Sequence, residues 1–92
     1  MINKNTIIIR NKEIATNELD GKIVMMHIQT GKYYNFDSVG TDIWYLLENP
    51  ITFDELIGKL TDMYEIDRET CENDTLPFIQ GLARNKLVEL SE

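Results

Sequence analysis

Residues before Asp37 alternate and turn like strands, whereas residues after it repeat like helices, so neither an all-α nor an all-β fold accommodates the chain. Ile14 to Leu19 and Lys22 to Ile28 flank Asp20-Gly21, a two-residue connection that tolerates the positive φ angles of a type I′ hairpin turn. A second turn follows at Gln29-Thr30-Gly31-Lys32, with Gly31 suited to the left-handed position, and Tyr33-Tyr34-Asn35-Phe36 reads as a short aromatic strand. These pieces make a three-stranded antiparallel β-meander. Thr6 to Arg10 is β-prone as well, without an evident partner.

Three helices follow the meander. Asp37 or Ser38 can cap the first, which runs through Val39, Ile43, Trp44, Leu46 and Leu47 until Asn49-Pro50 ends it. Thr52-Phe53-Asp54-Glu55 has the spacing of a capping box, and Ile51 and Leu56 are placed as a hydrophobic staple. This second helix continues to Met63 or Tyr64. Asp67 caps the third, whose apolar positions are Cys71, Leu76, Phe78, Ile79 and Leu82. Pro77 and Gly81 lie inside it, at costs of about 3 and about 1 kcal/mol, so it must kink or be held by packing. Leu87 to Leu90 closes the chain as an extended tail. The fold expected is α+β and winged-helix-like, a meander followed by three α-helices in one domain spanning residues 1–92.

Charge narrows the partners. Nine basic and sixteen acidic residues leave a net charge of −7. Residues 1–46 balance, so the whole excess sits in residues 47–92. A nucleic-acid binder needs cations to displace phosphate counterions, so nucleic acid is not an expected partner. Acidity serves solubility or a basic partner equally well. No apolar run reaches the roughly 18 residues of a membrane span, and residues 1–5 lack a secretory apolar stretch, so the expectation is a cytoplasmic protein without a membrane partner.

Catalytic supply is poor. His27 is the only histidine and stands between Met26 and Ile28 in an apolar strand. Cys71, the only cysteine, excludes an internal disulfide and any paired-cysteine metal site, and no Cys/His/Asx arrangement activates it. The carboxylates scatter around the helices, and the glycines form no phosphate-cradling loop. The chain is read as a non-enzyme with no cofactor and no metal.

What remains is a surface. Tyr33 to Phe36 contains neither lysine nor proline, the residues that usually blunt an edge strand. Either its edge is covered within the fold, or a peptide pairs with it by strand addition. Acids at the start of the third helix, Glu69, Glu72 and Asp74 among them, then favour a basic peptide.

Leu19 to Val24, Thr30 to Phe36, Val39 to Leu47, Thr52 to Leu56, Tyr64 to Asp67, Phe78 to Leu82 and Leu87-Val88, in this order and spacing, resemble the PqqD family, the small leader-peptide-binding proteins also called RiPP recognition elements. The resemblance spans roughly residues 14 to 90. It implies a non-catalytic adaptor that binds the leader of a ribosomally made precursor peptide by adding it as a strand at Lys32, Tyr33, Tyr34, Asn35, Phe36 and Asp37. Contacts from the third helix are implied near Cys71, Asp74, Thr75 and Phe78. Within the family the chain looks most like the free-standing leader-binding proteins of lasso-peptide biosynthesis, which present the leader to a separate leader peptidase. The alternative is a partner of a radical S-adenosylmethionine peptide-modifying enzyme. A winged-helix DNA-binding regulator fits poorly with the acidic third helix, and a homodimer through the open edge stays available. Members often carry Gly before the final Leu-Val pair, where this chain has Lys86; Asn85 is then the residue expected to take the left-handed turn.

Overall fold

The computed structural model describes residues 1–92 and contains three helices and two three-stranded antiparallel sheets, an α+β architecture. The strands are β1 (Ile7–Arg10), β2 (Ile14–Leu19), β3 (Lys22–His27), β4 (Tyr33–Asn35), β5 (Ile51–Thr52) and β6 (Val88–Ser91). The helices are α1 (Ser38–Leu46), α2 (Phe53–Tyr64) and α3 (Arg68–Arg84).

The meander forms as its turns dictate, in the order β2-β3-β4. Asp20 and Gly21 both take positive φ, 54° and 78°, the pair a type I′ turn requires. Pairing runs from Ile14 opposite His27 to Leu19 opposite Lys22, and then Val24 to Met26 pair with Asn35 to Tyr33. Ile23, Met25 and His27 point inward and are buried, while Val24 and Met26 face outward and are only partly covered.

A second sheet, not foreseen from the sequence, has the order β5-β1-β6. The Thr6 to Arg10 stretch finds its partners here: Ile8 lies opposite Ile51 on one side and Leu90 on the other. The residues expected as an extended tail are therefore a paired strand, and the two ends of the chain are joined through a long-range ladder. Phe53 N donates to Thr6 O at 2.9 Å and Asp54 N to Lys4 O at 3.0 Å, which ties the start of α2 to the same segment.

Each helix begins where its cap predicts. Gly40 N donates to Asp37 Oδ1 at 2.8 Å, so Asp37 rather than Ser38 caps α1. At α2 the box is complete: Glu55 N donates to Thr52 Oγ1 and Thr52 N donates to Glu55 Oε1. Thr70 N donates to Asp67 Oδ2 at 3.0 Å and starts α3. That helix continues unbroken through Pro77, with Cys71, Thr75, Ile79 and Leu82 buried along one stripe. Lys86, not Asn85, takes the left-handed conformation beyond it, with φ of 60° against −89° for Asn85.

The core is one cluster joining Ile8 and Val88 of the second sheet, Ile23 and Met25 of the meander, and Trp44, Leu56, Ile57 and Ile79 of the helices. The Arg10 guanidinium stacks 4.5 Å from the Trp44 ring centre and donates to the Trp44 carbonyl, which closes β1 against α1. No helix is long and apolar enough to cross a membrane.

Candidate functional site

The open edge of β4 is the candidate site. Phe36 N donates to Ile23 O at 3.0 Å, and Lys32 O accepts from His27 N at 2.9 Å, so the even-numbered residues of this stretch turn their backbone groups toward β3. By the alternation of an antiparallel ladder, Tyr33 and Asn35 present their N–H and C=O groups outward. β4 has no second neighbour. Unpaired strand groups of this kind are a template for another extended chain.

Side chains divide the strand in the same way. Tyr34, opposite Met25, and Phe36 are half-buried against the core, while Asn35 is exposed and Tyr33 is 73% exposed. Core-facing aromatics and an open edge are thus both present, and no strand of the fold pairs with that edge. On the outer face, Tyr33 borders a shallow hollow of about 220 Å³ with Ala15, Val24 and Met26.

Phe36 links the strand to the helices. Its ring meets Trp44 of α1 edge-on at 6.0 Å and Phe78 of α3 edge-on at 5.5 Å. Gly40 makes this junction possible, since a Cβ there would stand 3.3 Å from each of Asp37 Oδ1, Phe36 Cβ and Phe78 Cζ. Of the helical residues expected at the site, Phe78 is half-buried beside β4, and Asp74, one turn earlier, is exposed. Cys71 and Thr75 are not brought to the surface: they are 2% and 5% exposed, with Sγ and Oγ1 3.8 Å apart, and form the inner side of α3. Their i, i+4 spacing, continued by Ile79 and Leu82, is the signal that places them there.

Charges around the site are mostly free. Arg68 pairs with Asp54 and, at 3.3 Å, with Glu72, leaving Asp74 and Glu69 without an ion pair. Near the start of α1, Tyr64 Oη donates to Asp42. That bond, with burial and the charges of Asp42 and Asp37 adding, pushes the phenol up to about 12. Gly40 and the Tyr64–Asp42 pair escaped the sequence reading, because only the packing of α1 against α2 and α3 brings them to this corner.

The other reactive side chains are enclosed. His27 is 1% exposed with Nε2 3.4 Å from Asn11 Nδ2, and Cys71 has Thr75 as its polar neighbour. No group of three or more His, Cys, Asp or Glu is arranged to hold a metal ion.

Solved structures resemble this arrangement. TbiB1 in complex with the TbiA(beta) leader peptide matches with a TM-score of 0.81 and 33% sequence identity, over 88% of this chain and 94% of that one. A lasso peptide synthetase B1 complexed with the leader peptide matches with a TM-score of 0.75 and 22% identity, over 89% and 96% of the two chains, a likeness of fold. No curated protein matches the sequence. The family description for coenzyme PQQ synthesis protein D (PqqD) matches residues 22–88, and on that match the chain belongs to the PqqD family.

Proposed function

We propose that this chain binds the leader of a ribosomally made precursor peptide, without catalysis, and presents it to a separate modifying enzyme. The observation that carries the proposal is the open β4 edge, in a chain 33% identical to a protein solved with a leader peptide. The leader adds as a strand along residues 32–37, taking hydrogen bonds from the outward backbone groups of Tyr33 and Asn35. Each such bond contributes about 1 kcal/mol net, so anchor side chains packed near Phe78 decide affinity and selectivity. Asp74 lies beside that anchor, and Cys71 and Thr75 act from behind by holding the face of α3 in place. Residues 1–92 work as one leader-binding unit, with a lasso-peptide leader peptidase as the enzyme served. A radical S-adenosylmethionine enzyme is the alternative partner.

The test is fluorescence anisotropy of a labelled leader taken from a short precursor encoded beside the gene, with a scrambled leader and a random DNA duplex as controls. Saturable binding at micromolar concentration or tighter, to the leader alone, is the expected result. Phe78→Ala should weaken it by about tenfold or more while the far-ultraviolet spectrum stays that of the folded protein. Unchanged affinity in that folded variant would remove Phe78 from the site, and binding to DNA alone would overturn the proposal.

A further inference from the structure

The two walls beside the open edge are charged in the same direction. β4 is bracketed by Lys32 before it and Asp37 after it, and α3 (Arg68–Arg84) carries Asp74 in its first half and Arg84 at its end, with Lys86 just beyond. The Phe36–Phe78 contact holds the two acidic ends together, because Asp37 follows Phe36 and Asp74 precedes Phe78 by one turn. At the other end a set of contacts links the backbones of Lys32 and Lys86. Lys32 O accepts from His27 N at 2.9 Å, His27 Nε2 stands 3.4 Å from Asn11 Nδ2, and that same nitrogen donates to Lys86 O at 2.7 Å. Neither ion pair of the structure uses any of these five charged residues. Asp37 Oδ1 also accepts from Gly40 N, the cap of α1.

An unpaired charge at each end of an edge strand selects both the composition and the direction of what docks, since mismatched ends bring like charges together. The meander is antiparallel throughout, and antiparallel pairing is slightly the more stable per residue, so an added strand runs opposite to β4. Its N-terminal end then lies by Asp37 and its C-terminal end by Lys32.

We infer that the β4 edge takes a dipolar peptide strand, with a Lys or Arg beside Asp37 and Asp74 and an Asp or Glu about five residues later in the peptide beside Lys32. This rests on the leader-binding proposal and sharpens it. The acids of α3 ask for a cation at one end of the peptide only, and Lys32 asks for an anion at the other.

The test uses the same labelled leader with the full chain at low and high salt. Lys32→Glu and Asp74→Lys alter exposed side chains outside the core, and each should weaken binding about fivefold at low salt, with the loss shrinking at high salt. Reversing the leader's C-terminal acid to lysine should restore binding to Lys32→Glu and leave Asp74→Lys impaired. If the wild-type protein binds the leader and both variants bind it equally well at low salt, the charge selection is wrong and strand addition stands. Rescue at the opposite end of the leader overturns the assigned direction. A wild-type protein that does not bind the leader removes the proposed function, and this inference with it.

Discussion

The two sheets have three strands each and expose different edges. In the β5-β1-β6 sheet, the central strand draws its partners from residues more than forty positions away, and Ile8 at its middle is completely buried. Its edges are short or polar: β5 has two residues and leads directly into the capped α2, and β6 carries Glu89. In the β2-β3-β4 sheet all pairing is local, and β4 ends the sheet on three uncharged residues. One sheet locks the chain ends into the core, while the other leaves a strand template at the surface. On the proposed docking at β4, stability and leader binding are separable, and substitutions should sort by sheet.

The largest effect is expected from Ile8→Ala, which removes buried atoms where β1 meets the core and should cost about 2–5 kcal/mol of stability in urea unfolding. A cost under about 1 kcal/mol would mean that the second sheet contributes little. Tyr33→Pro is the complementary change. It deletes an outward N–H at the start of β4, so it should lower stability by about 1 kcal/mol or less yet reduce leader binding by about tenfold or more. Comparable losses in both measurements would show that β4 is structural as well as a template.

Lys86→Gly sharpens the comparison at the turn into β6. Lys86 holds a φ of 60°, which costs a residue with a Cβ about 1 kcal/mol, so glycine should raise the unfolding free energy by about that amount. A destabilised Lys86→Gly protein would mean that the lysine stem packs usefully on the surface. The smallest effect is in pH dependence. Hydrogen bonds with Thr52 hold the Glu55 carboxyl below its ordinary 4.5, and those with Thr70 hold Asp67 below its ordinary 3.8. Both folded-state values are depressed, so the stabilisation is fully present above the unfolded values and is lost as pH falls through the folded ones. Denaturation midpoints should decline below about pH 4.5, and Glu55→Gln should make that decline shallower. An identical slope in the variant would show that the cap bond survives protonation.

Legibility followed the range of the interaction. Asp20-Gly21, Asp37, Thr52-Glu55 and Asp67 act on neighbours within a few residues, and all four stand in the structure where the sequence places them. The candidate strand, Tyr33 to Phe36, is legible for the same reason, since its turn and its lack of blunting residues are local facts. Cys71 and Thr75 were assigned by spacing to the binding face, but the phase of α3, set by Ile79 and Leu82 against the core, turns them inward. The left-handed residue near the C-terminus was expected at Asn85 by side-chain preference. The chain entering β6 needs it one residue later, at Lys86, and the β1–β6 ladder overrides the preference.

Residue type and local spacing set the α+β class, the meander register, the helix starts and the candidate edge, because hydrogen bonds between near neighbours choose those. Only tertiary packing pairs Thr6 to Arg10 with both β5 and the C-terminal strand and sets the Phe36 and Phe78 rings together beside β4. Those choices come from burying Ile8, Trp44 and Ile79 in one core. Burial of that kind is non-directional, so it records no address in the local sequence of any of the segments it joins.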